Sequence, residues 1–285
     1  MRFGVHISIV GGLTQVIKRA TERGCETIQI FTRNPRGWPP PKEFSSTEVK
    51  ELKKGLSLAE IDPLIIHFAY LPNLASPEEE LYERSIAAFI NDLHQTKILG
   101  SPYVVIHMGS HKGAGEEIGL NQIILAINIV QEEQDKSVMI LLENASGQGS
   151  ELGYNFLHLK KVIEKVKFPE RIGVCFDLCH AYQAGYDVAT QKGLNRTLKI
   201  FDDLIGLDKL HMLHGSDSKT PLGSRSDRHE HIGGGFIGEE GFRIIVNHPL
   251  LKDKPMILET PTLNLENDQK NLSTIRNLER LRGKK

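Results

Sequence analysis

Nine histidine, aspartate and glutamate side chains lie at, or shortly after, the ends of short apolar segments that resemble β-strands. They are His67, His107, Glu143, Asp177, His180, His214, Asp227, His229 and Glu259. Side chains so far apart in sequence can share one site only if the chain brings the same end of successive strands together, as a parallel β/α barrel does. Imidazole and carboxylate groups are common ligands of zinc and other divalent ions. The pattern therefore predicts a barrel enzyme with a metal centre.

The strand-like segments alternate with segments that have helical periodicity. There are eight strand-like segments, and most are short, apolar and bounded by Gly, Pro, Asn or Asp, which is typical of buried parallel strands. They cover residues 3–8, 27–32, 64–69, 103–108, 138–143, 172–177, 209–214 and 255–259. Eight alternations predict an α/β fold with a single (β/α)8 TIM barrel over residues 1–285 and its active-site loops after the strands. An open doubly wound sheet is the alternative.

Alternation along each strand predicts which residues point into the barrel, because residues two apart share a face. In the seventh strand Leu210, Met212 and His214 lie on one face, so His211 points the other way. The same rule pairs an interior residue with a polar strand-end residue in five other strands: Ile65 with His67, Val105 with His107, Leu141 with Glu143, Cys175 with Asp177, and Ile257 with Glu259.

The position of the carboxylates favours metal binding over ordinary core packing. A single strand-end His or Glu is usually a hydrogen-bonded core residue or a solvated loop residue. Glu143 and Glu259, however, each follow an apolar run directly. Burying several carboxylates costs free energy unless cations compensate them. A shared cation cluster would compensate all of them together.

Composition narrows the choice further. The chain has 285 residues, of which 39% are hydrophobic, so it can bury a large core. It has no apolar run long enough to span a membrane and no signal-peptide pattern at its start, so we expect a soluble, cytoplasmic protein. Cys25, Cys175 and Cys179 are too few for a disulfide framework; we interpret them as small buried residues, with thiolate ligation as the alternative for Cys175 and Cys179.

The formal net charge of −1 gives no sign of the basic excess that usually accompanies nucleic-acid binding. Bound divalent cations would change this balance locally. Three such ions would bring six positive charges to a site with four carboxylates, which would attract phosphate more strongly than the sequence charge suggests.

Several long motifs, in order along nearly the whole chain, resemble the endonuclease IV family of abasic-site (AP) endonucleases. They are HFAYLPNLA at 67–75, HMGSH at 107–111, ENASGQGS at 143–150, GVCFDLCH at 173–180, HGSDSK at 214–219 and GSRSDRH at 223–229. Three positions depart from the usual family pattern, Pro72, Leu178 and Ser216, and none of them is a predicted ligand.

The resemblance implies a barrel that carries three zinc ions per chain, with manganese as an alternative at one position. By the family pattern, His67, His107 and Glu143 would hold one ion, and Glu143 would bridge to a second. Asp177, His214 and Glu259 would complete the second site, and the third ion would be held by His180, Asp227 and His229. Glu143 would be the central catalytic residue.

The resemblance also implies the substrate, duplex DNA that contains abasic sites. The enzyme would cut on the 5′ side of the abasic site, leave a 3′-hydroxyl and a 5′-deoxyribose phosphate, and remove 3′-blocking groups. We expect it to act as a monomer and not to associate with a membrane. The predicted DNA-contacting residues lie in the loops after the second and third strands: Arg33, Arg36, Trp38, Tyr70 and Leu71.

Two alternatives stay open at the level of sequence. A metal-dependent sugar isomerase or epimerase on a similar barrel also places carboxylates and histidines at strand ends, but such an enzyme needs only one or two ions. A barrel that binds DNA and has lost its chemistry is the second alternative; the presence of all nine predicted ligands argues against it.

Overall fold

Eight parallel strands close into a barrel, as predicted. The computed structural model describes residues 1–40, 43–133, 137–261 and 264–279. The barrel strands are β1 Phe3–His6, β2 Thr27–Ile30, β3 Leu64–His67, β4 Tyr103–His107, β5 Met139–Glu143, β6 Ile172–Asp177, β7 Leu210–Gly215 and β10 Met256–Leu258. Two further short strands, β8 Asp217–Ser218 and β9 His229–Glu230, form a separate antiparallel ribbon. Strand β1 pairs with both β2 and β10, which closes the barrel and excludes the open sheet.

Helices connect the strands and cover the outside of the barrel. They are α1 Leu13–Arg23, α2 Ser46–Leu58, α3 Glu79–Leu99, α4 Glu116–Glu133, α5 Phe156–Lys165, α6 Leu178–Ala184, α7 Gln191–Leu204, α8 Gly238–Val246 and α9 Leu265–Leu278. Local sequence sets their ends. The Ser45 hydroxyl accepts a hydrogen bond from the Glu48 amide at the start of α2, and α1 ends at Gly24 in the left-handed conformation with φ 70°.

Two apolar layers stabilise this architecture. The outer layer lies between strands and helices and includes Phe3, Phe89 and Phe242. The inner layer fills the barrel and consists of Ile65, Val105, Leu141, Cys175, Met212 and Ile257. Strand alternation predicted that all six point inward, and each lies two residues before a polar strand-end side chain. The prediction for the start of the seventh strand is wrong: Leu210 packs in the outer layer, and the His211 ring lies 5.5 Å from Tyr103, which packs against the inner layer. The register between β6 and β7 shifts between Val174 and Cys175, so the alternation set by Met212 and His214 does not extend to these two residues.

The strand ends differ from the predicted bounds by no more than two residues. The sequence did not reveal two features, the short helix α6 directly after β6 and the β8–β9 ribbon in the loop after β7. Both lie at the mouth of the barrel, and both carry predicted ligands, His180 on α6 and His229 on β9. Among the described residues we find no helix that is both long and apolar enough to cross a bilayer.

Candidate metal centre

All nine predicted ligands lie together at the carboxyl-terminal mouth of the barrel. Five of them end or nearly end consecutive strands around the barrel, and Glu259 follows the last strand: His67 on β3, His107 on β4, Glu143 on β5, Asp177 on β6 and His214 on β7. Asp227 comes from the loop between β8 and β9. The strands thus deliver side chains from distant sequence positions to one face, because parallel strands all end on the same side.

Glu143 lies at the centre of the cluster, with no exposed surface. Its Oε2 is 3.2 Å from His67 Nε2 and 3.6 Å from His107 Nε2. Its Oε1 is 3.0 Å from His214 Nδ1 and 3.4 Å from His180 Nδ1. The two oxygens of one carboxylate therefore face different groups of histidines, which is the arrangement of a carboxylate that bridges two ions.

A second group forms around His214. Its Nδ1 lies 3.6 Å from Glu259 Oε2 and 4.0 Å from Asp177 Oδ2, in addition to its contact with Glu143. One ligand atom from each of these four residues lies within 4.8 Å of the others. Three carboxylates and one imidazole thus surround a common point.

A third group joins α6 to the β8–β9 ribbon. His180 Nε2 and His229 Nε2 are 3.2 Å apart, and Asp227 Oδ1 lies 3.5 Å and 3.2 Å from them respectively. Asp177 also lies beside this group, since one of its oxygens is within 4.8 Å of ligand nitrogens on both histidines. Asp177 therefore connects the second and third groups, as Glu143 connects the first and second.

Backbone carbonyls fix the orientation of three of the imidazole rings. A carbonyl can only accept a hydrogen bond, so the ring nitrogen that faces it must carry the proton. Nδ1–H of His67 donates to the Phe68 carbonyl at 2.6 Å, that of His180 to Asn144 at 2.9 Å, and that of His229 to Glu259 at 2.7 Å. Each ring therefore directs its Nε2, which carries the lone pair when the ring is neutral, into the cluster.

The cluster needs positive charge to hold this geometry. The Nε2 atoms of His180 and His229 lie 3.2 Å apart, and the Nε2 atom of His67 faces a Glu143 carboxylate oxygen at 3.2 Å. The Asp177 Oδ2 atom is buried without a hydrogen-bond partner. Among the described residues, no lysine or arginine forms an ion pair with the four carboxylates. The donor set therefore fits divalent cations, which nitrogen and carboxylate oxygen ligands bind together.

The histidines and carboxylates of the cluster shift one another's pKa values. Burial opposes the charged form of His180, but Asp177 and Asp227 outweigh it and raise its pKa well above the usual value. Burial likewise opposes charging of His229, yet a hydrogen bond with Asp227 raises its pKa to about 9. For Glu143, burial favours the neutral acid, but the surrounding imidazoles hold its pKa well below the usual range. The Glu143 carboxylate thus stays ionised and attracts cations.

The cysteines take no part in these groups. Cys25, Cys175 and Cys179 are all buried. Burial raises the pKa of Cys175 to about 12 and that of Cys25 to about 11, so both thiols stay protonated at neutral pH. Among the described residues, the groups suited to a metal ion contain only His, Asp and Glu. The interpretation of the cysteines as small buried side chains agrees with these positions.

Two departures from the family pattern lie beside the ligands. The Ser216 hydroxyl is 2.9 Å from His229 Nδ1 and so adds a second contact to the nitrogen that bonds to the Glu259 carbonyl. Leu178 is fully buried at the first position of α6, where it packs in the outer layer. Neither side chain displaces a ligand.

Three of the five predicted DNA-contacting residues, Trp38, Tyr70 and Leu71, line the mouth beside the metal centre, and Arg36 lies in the same loop as Trp38. Arg36, Tyr70 and Leu71 are exposed, and Trp38 is half-buried. The amides of Tyr70 and Leu71 both donate to the Pro35 carbonyl at 3.1 Å, so the loops after β2 and β3 are tied together. The guanidinium of Arg84 on α3 lies 4.2 Å above the Trp38 ring. These loops are therefore anchored to each other and to the barrel.

A cavity of about 590 Å³ opens between these loops and the ligands. Its lining includes Trp38, Tyr70 and Leu71 from the loops and His107, His180 and Asp227 from the predicted ligands. A group that enters the cavity would therefore contact both the aromatic rim and the predicted ligands.

Arg33 does not belong with the DNA-contacting residues, and the prediction for it is corrected here. Its side chain is buried, and Nε donates to Asp92 Oδ1 at 2.8 Å, while Nη2 donates to the Ala88 carbonyl at 2.8 Å. Thr32 donates to the same carboxylate oxygen. Arg33 therefore fixes the start of the loop after β2 to helix α3 and does not reach the surface.

Sequence reasoning also missed Gln29 on β2. This side chain is fully buried and contacts two predicted ligands, His214 and Glu259. A signal was present, because Gln29 is a polar residue between Ile28 and Ile30 and lies on the face of the strand that points inward.

Comparison with known proteins agrees with this geometry. Residues 17–282 match the family described as Xylose isomerase-like TIM barrel. A protein from Halothermothrix orenii named probable endonuclease 4 is 49% identical over 261 residues, which cover 92% of this chain and 94% of that protein. The chain belongs to the endonuclease IV family. The crystal structure of endonuclease IV from Thermus thermophilus superposes with a TM-score of 0.86 at 35% identity and covers 98% of both chains.

Barrels outside the endonuclease IV family share the architecture. A D-tagatose 3-epimerase-like protein superposes with a TM-score of 0.73 at 20% identity and covers 98% of this chain and 97% of its own. At that identity the likeness concerns the fold alone.

Proposed function

We propose that this protein is a metal-dependent DNA-repair endonuclease that hydrolyses the phosphodiester bond on the 5′ side of abasic sites in duplex DNA. The products would be a 3′-hydroxyl and a 5′-deoxyribose phosphate, and 3′-blocking groups would also be removed. The observation that carries the proposal is the position of Glu143, whose two oxygens face two different ligand groups in a member of the endonuclease IV family.

The proposed cofactor is zinc, three ions per chain, with manganese as an alternative at one position. His67, His107 and Glu143 would hold the first ion, Glu143 with Asp177, His214 and Glu259 the second, and His180, Asp227 and His229 the third. When bound, such ions supply Lewis-acid chemistry, since they activate water at neutral pH and neutralise charge on phosphoryl oxygens.

The chain's own residues would position these groups and recognise the damage. Glu143, held among the histidines, would fix the position of the first ligand group relative to the second. An abasic nucleotide has no base edge to read, so it is recognised through the deformability of the duplex and extrusion from the stack. Tyr70 and Leu71, which are exposed and apolar at the rim of the cavity, are suited to fill the space left in the duplex. Arg36, exposed beside them, is suited to contact the backbone phosphates.

A nicking assay tests this function. The protein is incubated with a duplex that carries one abasic site, and with the same duplex without damage, each in the presence and absence of a chelator. We expect nicking on the 5′ side of the abasic site only, and its loss with the chelator. Nicking that survives complete metal removal, or that ignores the damage, would contradict the proposal.

The same assay separates the alternatives. A sugar isomerase or epimerase would leave the duplex intact and interconvert a ketose, and an inactive barrel would bind abasic duplex without cutting it. The third ligand group favours the nuclease. An enzyme with one or two ions needs only the group formed by Glu143, Asp177, His214 and Glu259, whereas this chain has His180, Asp227 and His229 in addition.

A further inference from the structure

His214 differs from the other oriented histidines of the centre in how its ring is held. His67, His180 and His229 donate Nδ1–H to backbone carbonyls and direct Nε2 into the cluster. His214 is reversed, since its Nδ1 faces Glu143 at 3.0 Å and its Nε2 points away from the cluster. Its outward nitrogen contacts a side chain, Gln29, at 2.8 Å. The other three rings each have a backbone carbonyl partner, whereas the outward nitrogen of His214 faces a side chain, which mutation can remove.

The amide of Gln29 can adopt only one orientation. Its Nε2 lies 2.8 Å from Glu259 Oε1, and an ionised carboxylate only accepts hydrogen bonds, so this atom must be the amide nitrogen. The amide oxygen then faces His214 and can only accept. His214 Nε2 must therefore carry a proton, and in the neutral ring the lone pair lies on Nδ1, the atom that faces Glu143.

His6 supports Gln29 from the other side. Its Nδ1 lies 3.3 Å from the Gln29 amide nitrogen, which has a second hydrogen to donate after the one used by Glu259. The His6 ring packs against Phe31 with centroids 4.2 Å apart. Burial lowers the pKa of His6 to about 3, so the ring is neutral and one nitrogen can accept. The Gln29 side chain thus has a partner for each of its polar hydrogens and for its oxygen.

We propose that Gln29 is a positioning residue of the metal centre: its amide fixes which nitrogen of His214 faces the cluster and holds Glu259 beside it. Groups that hydrogen-bond a ligand from outside a metal site fix the orientation of its ring, and their loss typically weakens metal binding about 10- to 100-fold. The inference rests on the metal-dependent function proposed above and adds a residue outside the nine predicted ligands.

Zinc binding by the metal-free protein tests the proposal without reference to nuclease activity. Zinc is titrated in competition with a chromophoric chelator into the parent, Gln29→Met and Ile30→Val. Gln29→Met keeps the approximate volume and removes all three hydrogen bonds, so we expect about 10- to 100-fold weaker binding of one zinc equivalent. Ile30→Val is the matched control, because Ile30 is the next residue of the same strand, packs in the outer layer and should leave zinc affinity unchanged. Parent-like zinc affinity in Gln29→Met would overturn the proposal.

Gln29→Glu separates the two roles of the amide and serves if Gln29→Met fails to fold. The carboxylate keeps an acceptor for His214 and loses the donor to Glu259. We expect the His214 Nε2–H proton to remain visible by NMR in zinc-loaded Gln29→Glu and to be lost to exchange with water in Gln29→Met. Loss of this signal in Gln29→Glu would overturn the assignment of the His214 orientation to Gln29. If the parent itself binds no zinc, the proposed function fails, which is a different result from equal binding by parent and variant.

Discussion

Replacement of Arg33 by Met tests the reassignment of this residue from DNA contact to internal anchor. Arg33 and Asp92 form an ion pair at 2.8 Å in which the Arg33 side chain is 2% exposed and that of Asp92 is not exposed. Removing one partner of a buried ion pair leaves the other charge uncompensated and typically costs about 3–5 kcal/mol. We therefore expect Arg33→Met to lower the free energy of unfolding by about that amount at neutral pH.

The loss should depend on pH in a defined direction. Burial already raises the pKa of Asp92, although Arg33 opposes this effect. Without Arg33 the pKa of the folded state rises further, so the folded variant keeps a proton that the unfolded chain releases above its usual pKa. The folded state then binds more protons than the unfolded state, and stability falls as pH increases. The difference between parent and Arg33→Met should thus be smallest at about pH 4, near the usual pKa of an aspartate, and grow toward neutrality.

Urea unfolding followed by far-UV circular dichroism measures these stabilities. Arg36→Met is the control, since Arg36 is exposed in the same loop and its replacement should change stability by no more than about 0.5 kcal/mol. The double variant Arg33→Met/Asp92→Leu removes both charges and should recover part of the loss. Parent-like stability of Arg33→Met, together with a fall of about one in the salt-dependence slope of DNA binding, would refute the anchor and restore a phosphate contact.

Three further predictions follow from the site and the core. Glu143→Gln should abolish nicking of abasic duplex and leave the circular dichroism spectrum unchanged; measurable turnover in the folded variant would remove Glu143 from the centre of the mechanism. Tyr70→Ala and Arg36→Ala should each reduce the preference for abasic over intact duplex in a fluorescence anisotropy titration, and a preference equal to that of the parent would show that these loops do not read the damage. Because burial raises the pKa of Cys25 to about 11, the parent should lose stability between about pH 9 and 11 as the unfolded thiol ionises first, and Cys25→Ala should lose less over that range in urea unfolding; equal losses would argue against a buried, protonated thiol.

The barrel and the inward-facing residues could be predicted from sequence because two periodicities agree in this chain. Short apolar strands alternate with helical segments, and residues two apart along each strand share a face. Met212, for example, points into the barrel because it lies two residues before His214 and therefore shares its face of the strand. The convergence of the nine side chains at one mouth follows from the parallel arrangement, in which all strands end on the same side of the barrel and the rings of His67 and His214 lie 5.8 Å apart.

Features that depend on contacts between distant segments could not be predicted in the same way. Arg33 looks like a solvated loop residue because its partner Asp92 lies 59 positions away on α3. Gln29 is not one of the His, Asp and Glu residues that signal a zinc site, and its contact with His214 spans 185 positions. The role of Asp177 beside both the second and third ligand groups arises from helix α6, which begins directly after β6 and turns His180 back over the strand end.

The most direct test of the metal centre is a crystal structure of the purified protein with diffraction measured on both sides of the zinc absorption edge. We expect anomalous density for three ions, one between His67, His107 and Glu143, one between Glu143, Asp177, His214 and Glu259, and one between His180, Asp227 and His229. Absence of anomalous density among these side chains in zinc-supplemented crystals, with the nine residues in the positions described, would contradict the account.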